Sequence, residues 1–318
     1  MKSIYYDENW AILQEKKEGG KAEIYQCQCG KCSIKYVYII REAGIVEDVQ
    51  YYDILTPRGM GGPRIENGHL FDLEEYNDKF LKYCKERNII AEYVRFDPWN
   101  CNHSMFGVLY NELEHYGNLY CNNLSKDFYR EEYDRNVLRN IRKYSDDIEV
   151  EFDFKGKEIE TFLELYKYTE DKYMVGNYYH LSKEFLLDYF RLLKGKVAIA
   201  NAIYQKKKVS SAVVLFGEDI VHYHFLGNDP QYRKIYANTI IMYRIALLSQ
   251  KMGKKLFDLG GGIVNGSTAD YKRRFVNESG VYPYYIGKRI INKNIYQKMI
   301  DKNGRAKKGY FPEYKREN

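Results

Sequence analysis

Between residues 197 and 259 the chain follows an order of elements that few folds can accommodate. Three apolar runs, at residues 197–204, 209–216 and 220–226, are separated only by Lys206-Lys207-Lys208 and Gly217-Glu218-Asp219. Connections this short join antiparallel neighbours, because a parallel crossover needs a dozen residues or more. Ala237, Ile241, Ile245, Leu248 and Met252 then recur at helical spacing, Gly253 ends the helix, and a strand at 256–259 follows at once. Two helices are expected ahead of this run. One, at 158–174, carries Ile159, Phe162, Leu163, Tyr166 and Tyr173, and the other spans 183–193. A short helix at Lys272 and a last strand near 281–286 complete this half.

The first half reads as strands at 22–27, 33–41 and 46–55, with Gly30 and Gly44 as turn residues and clear alternation through Ile34-Lys35-Tyr36-Val37-Tyr38-Ile39. A loop rich in glycine and proline follows at 56–63. Leu73, Tyr76, Phe80 and Tyr83 predict an amphipathic helix over 72–87 with Asp72 near its N-cap. A strand at 89–96 ends in Asp97-Pro98-Trp99-Asn100, and another is expected near 119–122. A single long helix is expected over 127–144, with Tyr133, Val137, Ile141 and Tyr144 on its apolar side and Arg135, Arg139 and Arg142 along another face. The pattern starts again near Val150. A chain of 318 residues with 45% hydrophobic content has material for two cores, so the expected division is 1–150 and 151–318.

Helix pair, antiparallel meander, helix, strand is the layout of the acetyltransferase-like (GNAT) α/β fold, and the first half offers a similar order. The expected architecture is therefore α/β (α+β): two tandem GNAT-like domains with mixed, largely antiparallel sheets and a cleft between them. Acetyl-CoA enzymes of this fold hold the pyrophosphate on a glycine-rich loop before the helix that follows the third strand. That place here reads Arg233-Lys234-Ile235-Tyr236-Ala237-Asn238, so coenzyme A binding of that kind is disfavoured.

A formal charge of +6 favours anionic partners such as phosphates or an RNA end without demanding a duplex. The first residues, Met1-Lys2-Ser3-Ile4-Tyr5-Tyr6-Asp7-Glu8, contain no apolar signal core, and no later run is long enough to span a bilayer. The expected location is the cytoplasm. Cys27, Cys29 and Cys32 cluster as zinc ligands can, with Cys101 or His103 to complete a set. Gly30-Lys31 reads instead as a hairpin turn and the second half of a paired motif is missing, so no metal is expected.

One stretch couples backbone to charge. Leu256-Phe257-Asp258-Leu259-Gly260-Gly261-Gly262 is a strand ending in an acid and three glycines, which bring main chain close to a ligand, and Tyr271-Lys272-Arg273-Arg274-Phe275 follows. Together with the Gly61-Gly62-Pro63 loop and Arg139-Asn140-Ile141-Arg142-Lys143, these segments occur in the order found in the Fem-type aminoacyltransferases. The chain resembles that family, which uses aminoacyl-tRNA to add residues to the peptide of a peptidoglycan precursor. The resemblance implies aminoacyl transfer in the cell wall pathway, with the acceptor end of aminoacyl-tRNA and a nucleotide- or lipid-linked peptidoglycan precursor as partners. It implies no cofactor and no stable membrane insertion. It places Lys272 at the reaction centre. The coiled-coil arm of some members is absent, since no heptads are sustained. An acyl-CoA-dependent N-acyltransferase acting on a sugar or peptide amine is the alternative.

The chemistry is aminolysis of an ester, in which a cation near the carbonyl oxygen lowers the barrier and Lys272 suits that role. Asp258 is a candidate to accept the amine's proton, and Asp97 is another, although an acid before Pro98 commonly forms a turn. Arg58, Arg64, Arg139 and Arg233, with Gly61, Gly62, Gly260 and Gly261, are candidate phosphate and backbone contacts. Tyr236 and Asn238 are candidate sugar or peptide contacts. His222 and His224 alternate with Tyr223, which is a candidate contact if its face lines the cleft. No Ser-His-Asp or Cys-His constellation stands out, so a covalent acyl-enzyme is not expected.

Overall fold

The computed structural model describes residues 1–68, 71–124, 127–173, 180–261, 266–307 and 309–315. Gly262, the third glycine of the run above, and Met174, the expected end of a helix, lie outside them. The chain forms two compact units: a middle unit of Met1–Ile4 with Gly117–Tyr282, and a flanking unit of Tyr5–Tyr116 with Pro283–Asn318.

The flanking unit begins with α1 (Glu8–Glu18), capped where the Asp7 carboxylate accepts the Asn9 amide at 2.9 Å. Its buried residues are Trp10, Ala11, Leu13 and Gln14, while Ile12 is exposed, so apolar residues do not mark its inward face cleanly and periodicity did not reveal it. β1 (Lys21–Cys29) and β2 (Cys32–Val46) form the expected hairpin, Cys29 facing Cys32. β3 (Val49–Leu55) is reached through Glu47 and Asp48, both left-handed at φ 51° and 61°, as a tight hairpin with right-handed strand twist requires. The turn is therefore not at Gly44, which pairs with Tyr51 inside β2 just after a register shift at Ala43. β4 (Arg64–Asn67) pairs with β2, α2 (Leu73–Glu86) is capped by Asp72, and β5 (Ile89–Arg95) returns parallel to β3. α3 (Asn102–Phe106) and β6 (Glu112–Asn123) follow, and β6 carries the chain into the middle unit.

There α4 (Phe128–Glu132) and α5 (Arg135–Tyr144) replace the single helix expected over 127–144. Tyr133 is extended, and the Asp134 side chain starts a new helix by accepting the Val137 amide at 2.7 Å. The next elements are β7 (Ile148–Asp153), α6 (Ile159–Tyr173), α7 (Lys183–Leu192), β8 (Val197–Tyr204), β9 (Lys207–Phe216) and β10 (Ile220–Asn228). A 3-10 helix (Pro230–Ile235), α8 (Ala237–Lys251), β11 (Leu256–Gly261), α9 (Ser267–Arg273) and β12 (Val281–Ile290) follow, and α10 (Lys293–Asn303) lies in the flanking unit.

Each unit has the same plan. In the middle unit β8, β9 and β10 form an antiparallel meander, α8 crosses over, β11 lies parallel to β10, and β6 lies antiparallel to β11. In the flanking unit β1, β2 and β3 form the meander, α2 crosses over, β5 lies parallel to β3, and β12 lies antiparallel to β5. The strand that completes each sheet does not come next in its own half of the sequence. β6 follows β5 but pairs with β11, whereas β12 follows β11 but pairs with β5. Besides the division at 4/5, the units consequently divide at 116/117 and 282/283, and Val150 lies in β7 within the middle unit.

Burial holds each crossover helix in place. Ile240, Ile241 and Ile245 of α8 pack with Ala198, Ala200, Val214 and Phe257, and Tyr76, Phe80 and Cys84 of α2 pack with Tyr36, Tyr38, Ile54 and Val94. Each fully buried large side chain here contributes about 2 kcal/mol of transfer free energy.

Candidate active site

β10 and β11 run parallel for three residue pairs, Ile220 with Leu256, Val221 with Phe257 and His222 with Asp258, and then part. β10 bulges between Tyr223 and Phe225 and stays with β9, while β11 shifts register on β6 between Asp258 and Gly261. Open α/β sheets bind their ligands at carboxyl ends of parallel strands that separate in this way.

Asp258 is buried at the last of these pairs. Its Oδ2 lies 2.9 Å from His222 Nδ1, and its Oδ1 accepts the Gly260 amide at 2.7 Å and the Cys121 thiol at 3.6 Å. The tight turn holds Gly260 at φ +75°, and a Cβ there would come 3.1 Å from the Lys272 amine, so both backbone and space call for glycine. Lys272, on α9, donates to the Gly261 carbonyl at 2.6 Å. Burial draws the Lys272 pKa down from 10.5 to about 8, against the opposing pull of Asp258 and Cys121. α9 is anchored by its neighbour Tyr271, whose hydroxyl lies 3.1 Å from Thr239 Oγ1 of α8 and whose ring meets Phe275 edge-on. The sequence had joined Lys272, Asp258, Gly260 and Gly261, and the fold brings all four together.

The other ring nitrogen of His222 lies 2.9 Å from Ser3 Oγ, and Ser3, His222 and Asp258 are all buried. The N-terminal segment is fixed there by main chain as well: Lys2 N donates to Asp219 Oδ2 at 2.7 Å, and Asp219 N donates to the Lys2 carbonyl at 3.0 Å. A Ser-His-Asp line therefore exists where none was expected. Ser3 and His222 are 219 positions apart, and no local pattern marks a serine in the third position.

The remaining candidates of the middle unit fall elsewhere on it. Tyr223 donates to Asn238 Oδ1 at 2.6 Å, tying β10 to α8. Tyr236 is exposed and left-handed at φ 55°, its ring 5.9 Å from that of Tyr144 at the end of α5. Arg233 and Arg139 are exposed on the 3-10 helix and on α5. His224 Nε2 lies 3.0 Å from the Tyr189 hydroxyl of α7, and the bulge at His224 breaks the strict alternation read from the sequence.

In the flanking unit, Gly61 and Gly62 are buried. Gly61 N donates to the Arg95 carbonyl at 2.7 Å, and the Gly61 carbonyl accepts Asn102 Nδ2 at 2.8 Å. Gly62 stands at φ +96° with a Cβ position 3.0 Å from Val94. The Arg58 carbonyl accepts the Trp10 indole at 2.7 Å. Arg64 is forked onto Glu66, with its guanidinium 4.2 Å over the Tyr6 ring. Asp97 accepts the Trp99 amide at 2.8 Å and the Tyr6 hydroxyl at 3.0 Å, as a turn-forming acid does, and burial raises its pKa. Cys27 and Cys29 bring their sulfurs to 3.4 Å. Among the described residues no group of three or more His, Cys, Asp or Glu is placed to hold a metal ion, and no helix is long and apolar enough to cross a membrane.

The parted parallel strands, the meander and the crossover helix define a GNAT-type transferase fold, and residues 132–273 match the family model described as an acetyltransferase (GNAT) domain. The chain is similar to the crystal structure of FemX, with a TM-score of 0.67 and 12% identity over 91% of this chain and 92% of that one. It has the Fem-type GNAT fold. It is also similar to the C-terminal domain of a putative lysylphosphatidylglycerol synthetase from Agrobacterium fabrum, with a TM-score of 0.54 and 11% identity over 93% of this chain and 89% of that one. L-PGS from Bacillus licheniformis matches at a TM-score of 0.50 and 10% identity, covering 92% and 95% of the two chains. Among curated proteins, none matches the chain.

Proposed function

We propose that this chain is an aminoacyltransferase that uses aminoacyl-tRNA to extend the peptide of a peptidoglycan precursor or a related peptide, working in the cytoplasm. The observation that carries the reading is the Lys272 amine, held on the Gly261 carbonyl where β10 and β11 part, with a pKa of about 8. The acceptor amine attacks the ester carbonyl and the ribose hydroxyl leaves. As an ammonium, Lys272 steadies the oxyanion, and with a pKa this near neutrality it can also pass a proton. Asp258 already receives His222 and Gly260, so its part is the charge it presents to Lys272 rather than removal of the amine's proton. Arg139, Arg233 and Tyr236 offer exposed cations and a ring for the RNA end. A role for Arg64 on the precursor's phosphates requires its release from Glu66.

The fold likeness to FemX, to the C-terminal domain of the putative lysylphosphatidylglycerol synthetase and to L-PGS supports this reading. Incubation with charged tRNA and a muropeptide precursor should add the mass of one amino-acid residue. The absence of product with every charged tRNA would sink the proposal. The GNAT family-model match favours a second reading, an acyl-CoA-dependent N-acyltransferase. Calorimetry with coenzyme A separates the two. Bulky side chains at Arg233, Lys234, Ile235 and Tyr236 stand where main chain would have to approach a pyrophosphate, so no binding is expected.

A further inference from the structure

The Ser3–His222–Asp258 line has the connectivity of a proton-relay triad, yet its hydroxyl end is buried and its acid end faces the lysine of the proposed centre. With the ring proton on Nδ1, His222 donates to Asp258, and its Nε2 accepts the Ser3 hydroxyl. Asp258 then receives three donors, from His222 of β10, from the Gly260 main chain and from Cys121 of β6. A carboxylate so held cannot turn away from Lys272.

We propose that His222, braced by Ser3, is a positioning residue that fixes the Asp258 carboxylate so that its charge acts on the Lys272 amine. This rests on Lys272 as the reaction centre, but the coupling itself needs no substrate to be observed. The titratable groups acting on the amine are Asp258 from β11 and Cys121 from β6. His222 stands behind Asp258, and Asp270, Arg273 and Arg274 near Lys272 on its own segment are exposed. Asp258 opposes the fall that burial imposes on Lys272, so loosening Asp258 lets that fall go further.

The test is competitive labelling of lysines with acetic anhydride across pH, with the Lys272 peptide read by mass spectrometry. In the unaltered chain the Lys272 midpoint should lie near 8. Asp258→Asn should lower it by about one unit, which raises the uncharged fraction at pH 7 about five-fold. Two replacements divide the roles of the ring, since an asparagine amide reaches the place of Nδ1 and a glutamine amide that of Nε2. His222→Gln should behave like Asp258→Asn, whereas His222→Asn, which keeps the donor to Asp258, should stay near the parent midpoint. Ser3→Ala should shift it in the same direction as His222→Gln by a smaller amount. Circular dichroism confirms that each variant is folded, and the labelling is read on folded protein. An unmoved midpoint in His222→Gln would overturn the inference and leave His222 a packing residue. The expected shifts without any aminoacyl transfer would uphold the inference and remove the function proposed above.

Discussion

His222 and Asp258 are the last residues paired between β10 and β11, and their side chains also meet, Nδ1 to Oδ2 at 2.9 Å. In a parallel pair, residues in register put their side chains on the same face, so one ladder step brings a ring and a carboxylate together without a loop. The next residues of each strand diverge, which leaves that pair at the opening of the gap and Lys272 across from it.

Replacing Lys272 by methionine keeps the bulk of the side chain and removes its charge. If the amine steadies the oxyanion, transfer should fall about 100- to 1,000-fold, measured as product formed from charged tRNA, while the thermal midpoint at pH 7 holds or rises. Retained activity in the methionine variant would exclude Lys272 from the chemistry.

The same lysine should leave a mark on stability. Its folded pKa of about 8 lies below the ordinary 10.5, so between these values the unfolded chain holds a proton that the folded chain has released. Stability attributable to this group therefore rises with pH across that window, by about 3 kcal/mol. Urea midpoints of the parent and of Lys272→Met should converge from pH 8 towards 10.5, with the variant ahead at the lower end.

Glu132 should show the reverse trend. Its carboxylate is buried and accepts the Asn123 amide at 3.0 Å, and burial raises its pKa from 4.5 to about 7. From 4.5 to about 7 the folded state keeps a proton that the unfolded state has lost, so stability falls as pH rises. Glu132→Gln removes this titration. Its advantage over the parent should grow by about 3 kcal/mol between pH 4.5 and 7.5 in urea unfolding, and a constant difference would refute the assignment.

If Arg139 and Arg233 meet phosphates of an RNA end, Arg→Gln at either should weaken tRNA binding and flatten its dependence on salt. Each lost contact should reduce the log–log slope by about 0.7. Filter binding between about 50 and 200 mM salt measures this, and unchanged slopes would return both residues to the solvated surface.

Gly62→Ala should destabilise the flanking unit by about 2 kcal/mol, since the residue sits at φ +96° with Val94 3.0 Å from the new methyl. Arg64→Ala, which breaks the partly buried pair with Glu66 and the stacking on the Tyr6 ring, should change stability by about 1 kcal/mol. Denaturant titrations of the two variants test both statements.

Local sequence determined much of this protein. Short connections after Tyr204 and Phe216 dictated the meander of β8 to β10, the stripe through Ile241 and Ile245 dictated α8, and the glycines after Leu259 marked the corner where Lys272 is found. These features follow from period, turn chemistry and capping, which act over a few residues. Periodicity runs through Tyr133, however, and it took the Asp134 cap to split α4 from α5. Tertiary structure alone decided which strand completes each sheet, because β6 and β12 read equally well beside either partner and only long-range packing selects one. It also brought Ser3 to His222, a contact across most of the chain, since a hydrogen bond between residues so distant leaves no periodic trace in the sequence.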